Sequence, residues 1–264
     1  ELNNLGVNIN FAPTIDVARD QRWGRVYETL GEDPYLTTVI GNSMIKGIEK
    51  DGKVGASAKH FVGYGQSNNG MDRTSADISE RDLREVHLAP FKEAINNNVK
   101  TIMVNGSDVN GIPVPANTYL LEDVLRKELG FKGITLSDWE DIERLHSNHH
   151  IVPSKRDAIK RAFNAGTDIN MANTDLEAVD ILEDLVLKNK ITIDKLNETV
   201  KRILETKQAL GLFENEFNQK EDLQAIQKQT KTIAKQIAEE SITLLKNQNN
   251  ILPLKDDYKN ILVV

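Results

Sequence analysis

The sequence of 264 residues contains no cysteine, which excludes a disulfide framework, a zinc–thiolate site and a thiol nucleophile. It also has no apolar run near the ~20 residues that a membrane-spanning helix needs, so we expect no membrane insertion. Lysines and arginines are interspersed with acidic residues instead of forming basic runs, and the formal net charge is -7. This pattern argues against nucleic acid or an anionic membrane as the main partner.

The composition that is present, 39% hydrophobic and 28% charged, indicates a soluble globular protein. Short apolar segments alternate with amphipathic ones along the chain. The apolar segments are rich in Val, Ile and Phe or apolar on both faces, which predicts buried strands. They are Val7–Ala12, Gly55–Val62, Thr101–Val104, Gly133–Leu136 and Thr167–Met171.

The amphipathic segments between these strands predict helices. Ser79 and Asp82 resemble a capping box, and Pro90 is expected to kink the helix that follows. Later apolar stripes run from Leu120 to a glycine cap at Gly130, over residues 176–186 and over residues 196–210. The alternation of strands and helices predicts an α/β fold with parallel strands, and both a (β/α) barrel and an open doubly wound sheet fit it.

The composition changes near residue 214. Residues 214–230 are rich in Glu, Asn, Gln and Lys, which indicates a linker and the beginning of a helix through Ala238. Short strands are predicted at Ile242–Leu245 and Asn260–Val264. Because the chain opens on ELNNLGVNINFAP and stops in a predicted strand, we expect it to be a piece of a longer protein.

Polar residues collect just after the predicted strands, where both candidate folds place their sites. Asp138 ends the apolar segment of GITLSDWED, and a strand end gives an aspartate nucleophile the rigidity it needs. The adjacent Trp139 can offer a stacking surface to a sugar. The alternative is that Asp138 caps the next helix, and the motif alone leaves both interpretations open.

Lys59 and His60 end another predicted strand, in SAKHFVGYG. Adjacent strand residues point to opposite faces, so a bend or bulge must bring both to one ligand. The alternative is a structural ion pair of Lys59 with an aspartate beside a core histidine. A third motif, RDQRWGRVYETLGEDP, has a charge density that suggests ion pairs holding a loop over a cleft, or else a solvated loop.

No organic cofactor or metal is expected. The glycines of GYGQSNNG have the wrong spacing for a dinucleotide fingerprint, which disfavours a nicotinamide-dependent reductase. His146, His149 and His150 lie close together in LHSNHH, but no acidic ligand pattern accompanies them.

Several motifs, in order over essentially the whole chain, resemble glycoside hydrolase family 3 in its β-glucosidase-like branch. They are NFAPTIDVARDQRWGRVYETLGEDP, KHFVGYG, ISERDLREVHLAPFKEAI, VNGIPVPANTYLLEDVLRKELGFKGITLSDWEDI, NAGTDINM, RILETKQALGLFEN and AEESITLLKNQNNILPL. The long match that ends in Ser-Asp-Trp is highly specific, whereas Lys-His-Phe alone is weak.

The resemblance implies a partial (β/α)8 TIM-type barrel over residues 1–213, a linker over 214–230 and the start of an α/β sandwich domain over 231–264. It makes Asp138 the nucleophile and has Trp139 line the site. It also implies that three residues hold the hydroxyls of the sugar being cleaved: Arg25, Lys59 and His60. Asn105, just after a predicted strand, is a further candidate for binding substrate. Structural roles are predicted for the other acidic residues near these motifs: Asp16, Asp20, Asp72, Glu140 and Asp141.

The implied activity is that of a retaining hydrolase that removes β-linked glucose or a related sugar from the non-reducing end of a β-glucoside or oligosaccharide. The acid/base glutamate is implied beyond Val264, so residues 1–264 alone are not expected to hydrolyse glycosides. The alternatives are a non-catalytic sugar-binding barrel and a family 3 β-xylosidase or N-acetylglucosaminidase. A periplasmic or secreted location is favoured over a cytoplasmic one.

Two departures from the family pattern bear on the substrate. Gly106 stands where many members have a tyrosine near the nucleophile, so the wall of the sugar pocket must be built differently. Val62 and Tyr64 stand where the N-acetylglucosaminidase branch has Pro and His, and no histidine follows in QSNNGMDRT. The second departure argues for the branch whose acid/base is a glutamate.

Overall fold

A computed structural model describes residues 1–174, 176–214, 223–254, 260 and 262. The chain divides into two compact units, Leu2–Asn218 and Gln219–Val264. In these described ranges, no helix has both the length and the apolar character required to cross a membrane. The assignment of the two units to a barrel and a sandwich domain stays a prediction.

The first unit is built around a parallel sheet. Its strands, in spatial order, are β1 (Ile9–Asn10), β2 (Gly55–Phe61), β3 (Thr101–Val104) and β6 (Ile134–Leu136). Ile9 lies opposite Gly55, and Thr101 pairs with both Ser57 and Ile134. A short antiparallel hairpin, β4 (Asp108–Val109) and β5 (Ile112–Pro113), follows β3. Parallel strands joined by helical connections confirm the predicted α/β class.

Helices connect these strands and cover the sheet. The α-helices are α1 (Pro34–Glu49), α2 (Glu80–Asp82), α3 (Ala89–Asn96), α4 (Asp141–Ser147), α5 (Lys155–Ala165), α6 (Glu177–Leu187) and α7 (Ile193–Ala209), with α8 (Leu223–Ser241) in the second unit. Leu83–His87 and Tyr119–Glu128 are π-helical. Short 3-10 turns lie at Asn3–Leu5, Val26–Glu28, Tyr64–Gln66, Asn68–Gly70, Val114–Ala116 and Gln248–Asn250.

Local sequence signals explain where several helices begin and end. The Ser79 side chain accepts a hydrogen bond from the backbone N–H of Asp82, which confirms the predicted cap of α2. The helical path changes at Leu88, just before Pro90 in the first turn of α3, where the kink was predicted. Gly130 follows the π-helical segment Tyr119–Glu128 with φ of 74°, a conformation that side chains disfavour.

Two clusters of buried side chains form the core. The larger one packs α1, α3 and the Tyr119–Glu128 segment against the sheet, with Phe61, Phe91 and Ile102 near its centre. The second packs α4, α5 and α6 together around Leu145 and Leu185. Together they fix the strands whose carboxyl ends carry the polar residues described below.

Some predicted strands are shorter or less regular in the structure. Val7–Ala12 forms a strand only at Ile9–Asn10. Thr167–Met171 lies beside β6 but forms a single bridge with it, between Leu136 and Ile169, instead of a strand. The Thr135 carbonyl accepts hydrogen bonds from two successive residues there, Asp168 and Ile169, so a regular one-to-one ladder does not form.

The prediction of a strand at Ile242–Leu245 is wrong. The segment follows α8 without regular structure, and Ile242 and Leu245 are exposed. A strand needs a neighbouring strand to hydrogen-bond its backbone groups. The described part of the second unit contains no such strand. The predicted strand Asn260–Val264 falls largely outside the described residues. The helix α8 begins at Leu223, inside the segment 214–230, and ends at Ser241.

The apolar stripe predicted over residues 176–186 is only partly buried. Leu176 and Val179 are 78% and 64% exposed, while Leu185 is the buried residue of α6. Leu182 and Val186 of the predicted stripe are partly buried against the second core cluster.

Candidate active site at the carboxyl end of the sheet

The predicted site residues lie together at one edge of the sheet. His60 is the second-to-last residue of β2, Asn105 follows β3, and Asp138 comes two residues after β6. Asp16 follows Thr14, which bridges to Lys59 beside β2. Because the strands are parallel, their carboxyl ends meet at this edge.

The Asp138 carboxylate is held on both oxygens. Oδ1 accepts a hydrogen bond from the backbone N–H of Trp139 at 2.6 Å. Oδ2 lies 3.4 Å from Nη2 of Arg73 and 3.5 Å from Nε2 of His60. The capping interpretation does not hold, because α4 begins at Asp141 and Glu140, its cap residue, makes no side-chain cap hydrogen bond. Asp138 is thus a fixed, largely buried carboxylate between two basic groups.

His60 is oriented by Asp16, a residue to which the sequence analysis gave only a structural role. Asp16 Oδ2 accepts the His60 backbone N–H at 3.0 Å and lies 2.8 Å from Nδ1 of the ring. Both side chains are buried. Nε2, on the other side of the ring, lies 3.3 Å from Nη2 of Arg25 and 3.5 Å from Oδ2 of Asp138. Asp16 therefore fixes the direction of the His60 ring.

Arg25 is fixed by a bidentate pair. Its Nε and Nη2 donate to the two Glu28 oxygens at 2.6 and 2.8 Å, and Nη1 donates to the Tyr64 hydroxyl at 3.3 Å. The hydrogen bonds that Arg25 donates to Glu28 outweigh burial and raise the pKa of Arg25. The Arg25 pair in turn lowers the pKa of Glu28, and the charges of Lys59 and His60 add to that effect. The Arg25–Glu28 ion pair is of the kind predicted for the RWGR loop, while the prediction that such pairs hold the loop over a cleft stays a prediction.

Tyr64 connects this loop to Asp72. Its hydroxyl donates to Asp72 Oδ1 at 2.7 Å, and the indole N–H of Trp23 donates to the same oxygen at 3.0 Å. Burial raises the pKa of Tyr64, and the bond to Asp72 raises it further. Burial alone would raise the pKa of Asp72, but the two donated hydrogen bonds bring it below its usual value. Tyr64 also packs edge-on against His60, with ring centroids 5.0 Å apart.

Lys59 and His60 are adjacent yet both lie near the site. The register between β2 and β3 shifts between Lys59 and Phe61, as the predicted bulge requires. This irregularity lets consecutive side chains serve the same edge of the sheet. The Lys59 side chain is half-buried, and its charge acts on Glu28.

Trp139 is exposed to solvent, whereas Asn105 is buried. Trp139 is 48% exposed, so its indole can form a wall for a ligand. Asn105 is fully buried: its amide nitrogen donates to the Val62 carbonyl at 2.9 Å, and its Oδ1 accepts from the backbone and hydroxyl of Ser107. This geometry corrects the predicted contact of Asn105 with substrate, because both polar ends of the side chain are used inside the fold.

Arg73 and Asp141 form a pair that sequence analysis missed as part of the site. Nη1 of Arg73 donates to Asp141, and Nη2 points at Asp138. The Asp141 side chain is 0% exposed. Burial raises the pKa of Asp141 to about 7, against the opposing charge of Arg73. Arg73 lies 68 residues from Asp141, so no local sequence pattern could join them.

The remaining predicted groups lie elsewhere. Asp20 pairs with Arg22 on the surface, and His149 lies 3.2 Å from the Gly106 carbonyl oxygen. In the part of the chain that the structure describes, no three His, Asp or Glu side chains are grouped as metal ligands. The chemistry available at this edge is a fixed carboxylate, two neighbouring basic groups and an exposed indole.

Known proteins match this chain over nearly its whole length. The sequence profile described as Glycosyl hydrolase family 3 N terminal domain matches residues 1–206. A lysosomal beta glucosidase of Dictyostelium discoideum is 40% identical over 274 residues, covering 98% of this chain and 33% of the relative. A beta-xylosidase of Formosa agariphila is also 40% identical, covering 96% of this chain and 37% of the relative. The chain thus spans about a third of the length of these curated relatives.

Solved structures agree with the sequence comparisons. The structure of beta-glucosidase from Listeria innocua in complex with glucose superposes with a TM-score of 0.90 at 31% identity, covering 96% of this chain and 36% of that one. A b-glucosidase from Erythrobacter marinus gives a TM-score of 0.90 at 33% identity, covering 96% and 35%.

Proposed function

The chain belongs to glycosyl hydrolase family 3, and we propose that the complete protein is a retaining β-glycosidase with Asp138 as its nucleophile. The observation that carries this proposal is the Asp138 carboxylate itself. It sits at the carboxyl end of a buried strand, fixed by the Trp139 backbone and flanked by His60 and Arg73. A rigid carboxylate between basic groups stays available to attack a carbon that develops positive charge.

The proposed reaction has two displacements. One Asp138 oxygen bonds to the anomeric carbon while the glycosidic bond breaks, and the leaving oxygen takes a proton from an acid residue. The conjugate base of that residue then deprotonates water, which attacks the anomeric carbon and releases the Asp138 carboxylate. Two inversions give a sugar with its original β configuration.

Asp141 does not suit the acid role, although its raised pKa resembles that of a general acid. Its side chain is fully buried and is covered by Arg73. A leaving-group oxygen therefore has no path to it. The proposal assigns the acid/base instead to a glutamate beyond residue 264, as the family resemblance implies.

The sugar-binding part of the proposal rests on three polar residues and one aromatic residue at the same edge of the sheet as Asp138. Arg25 and Lys59 offer charged donors, His60 offers a ring nitrogen, and Trp139 offers an apolar face. Such a set suits a neutral ligand with several hydroxyls. The proposed substrate is a β-glucoside or oligosaccharide cleaved at its non-reducing end, and the glucose complex of the Listeria innocua enzyme supports this choice.

A β-xylosidase is the second candidate, because the Formosa agariphila beta-xylosidase is as similar to this chain as the Dictyostelium relative. The two substrates differ by the hydroxymethyl group of glucose. The ratio of kcat/KM for matched aryl β-glucosides and β-xylosides decides between them. A non-catalytic sugar-binding protein would bind both without turnover.

Retention of configuration is the expected result for the complete protein. Proton NMR of an aryl β-glucoside digest should show β-glucose as the first product, with α-glucose appearing later by mutarotation. Two displacements at one carbon require this order. If α-glucose forms first, attack comes from water and the nucleophile assignment is wrong. If sugar binds but no product forms, the binding-protein alternative holds.

Replacing His60 with alanine is expected to lower kcat/KM about 10²-fold, roughly 2.7 kcal/mol of transition-state binding, because an oriented hydroxyl contact is lost. Both limbs of the pH–rate profile should remain, since His60 binds but does not transfer the proton. His146→Ala, at an exposed histidine, is the control and should retain parental activity. Loss of one limb in His60→Ala would show that His60 is an acid or base.

A further inference from the structure

The Arg73 guanidinium lies among three carboxylates. Its Nη1 donates to Asp141, its Nη2 is 3.4 Å from Asp138 Oδ2, and its Nε is 4.0 Å from Asp72 Oδ2. Planar guanidinium groups can satisfy two carboxylates at a fixed angle, which an ammonium group cannot. Arg73 therefore links the proposed nucleophile to a residue that is completely buried.

Asp141 anchors this link from inside the protein. Its side chain is 0% exposed, and Arg144 Nε lies 3.5 Å from the oxygen that Arg73 contacts. A buried carboxylate is costly unless a cation compensates it, so Asp141 confines the Arg73 guanidinium to one place. Asp141 is only three residues after Asp138, and Glu140 between them has φ of 57°. The turn at Glu140 brings both carboxylates toward one guanidinium.

Gly106 leaves the space that the pair needs. A Cβ built on Gly106 would overlap Asp141 Oδ2 and the Arg73 guanidinium. The position that resembles a family tyrosine is therefore occupied by the side chains of two other residues. The Arg73–Asp141 pair therefore requires glycine at position 106, because a larger residue there would overlap both side chains.

The backbone conformation of Arg73 is a further sign that its side chain is held in place for a function. Arg73 has φ of 55°, in the left-handed region that non-glycine residues rarely adopt. The preceding Asp72 is fixed by hydrogen bonds from Trp23 and Tyr64. Backbone strain of this kind is concentrated at functional sites, where the surrounding contacts hold a side chain in one direction.

We propose that Arg73, anchored on Asp141 over Gly106, is a positioning residue that holds Oδ2 of Asp138 for attack on the anomeric carbon. The proposal rests on the proposed function. In the first displacement Asp138 gives up its negative charge to a new bond with the anomeric carbon, and Arg73 keeps the carboxylate aligned until then. Asp141 acts through Arg73 and touches no substrate.

The test uses the complete protein and an aryl β-glucoside. Arg73→Gln is expected to lower kcat about 30-fold with KM within about threefold of the parent, because alignment is lost while hydroxyl binding remains. Arg81→Gln, at an exposed pair with Glu85, is the matched control.

Asp141→Asn adds a second readout. If Asp141 acts through Arg73, the double variant Arg73→Gln with Asp141→Asn should lose no more kcat than Arg73→Gln alone. Arg73→Lys keeps the charge but reaches only one carboxylate, so it should also lower kcat with KM little changed. That variant carries the test if Arg73→Gln does not fold.

A merely structural ion pair would overturn the proposal. Its signature is a lower melting temperature with kcat unchanged in both Arg73 variants. Asp138→Ala is measured in the same assay. If Asp138→Ala keeps parental activity, the proposed function fails, whereas loss in Asp138→Ala with no effect at Arg73 overturns this inference alone.

Discussion

Asp138→Ala is expected to lower kcat of the complete protein at least about 10³-fold, or roughly 4 kcal/mol of activation free energy. The substitution removes the only group that the account allows to bond to the anomeric carbon. Arg73 and His60 would remain, so sugar binding should persist and KM should change far less than kcat. Steady-state kinetics on an aryl β-glucoside measure both quantities.

Azide tests the same prediction by replacing the missing nucleophile. The space left by the Asp138 carboxylate lies beside two basic groups, Arg73 and His60, which favour a small anion. Azide should restore turnover in Asp138→Ala and give an α-glycosyl azide, because a single displacement inverts the β substrate. Asp123→Ala, at an exposed carboxylate paired with Lys127, is the control. Activity of Asp138→Ala within tenfold of the parent would rule out the assignment.

The largest expected effect on stability is at Asp168, which supports the strand that carries Asp138. Asp168 Oδ2 accepts from the backbone N–H and hydroxyl of Thr135, both at 3.0 Å, and from Arg126 at 2.7 Å. Oδ1 accepts from Arg202 at 2.6 Å. The carboxylate is 1% exposed, and Arg126 is 10% exposed. This cluster ties β6 to the Tyr119–Glu128 segment and to α7.

Asp168→Ala is expected to lower the free energy of unfolding by about 3–5 kcal/mol, because it leaves buried arginines without their counter-charge. Burial already lowers the pKa of Arg126 to about 10, even with Asp168 present. Urea unfolding of the complete protein, followed by fluorescence and by activity, measures the change. Asp123→Ala should cost less than about 1 kcal/mol, as exposed pairs do. A loss at Asp168 no larger than at Asp123 would show that the cluster adds little.

The sequence predicted the strands that are apolar on both faces and the residues at their ends. β3 was predicted at its observed bounds, and β2 within one residue. These predictions succeeded because burial on two faces leaves a local, continuous pattern. Thr167–Met171 has the same pattern, but a shared carbonyl at Thr135 breaks its ladder, and such sharing has no sequence signal.

The pairs that organise the site could not be predicted from local pattern. Asp16 lies 44 residues from His60, and Arg73 lies 65 residues from Asp138. In the sequence, each of these residues also fits an ordinary structural role, as a charged residue in a loop or at the start of a helix. Asn105 shows the reverse error: its place after a strand suggested a ligand contact, whereas its amide is used entirely within the fold.

Covalent labelling tests the central claim most directly. A 2-fluoro β-glucoside with a good leaving group should trap the glycosyl-enzyme intermediate of the complete protein, since the fluorine slows both displacements while the leaving group speeds only the first. Mass spectrometry of the digested protein should then find one added fluoroglucosyl group on Asp138, in the peptide that contains GITLSDWED. A label on any other residue would contradict the account.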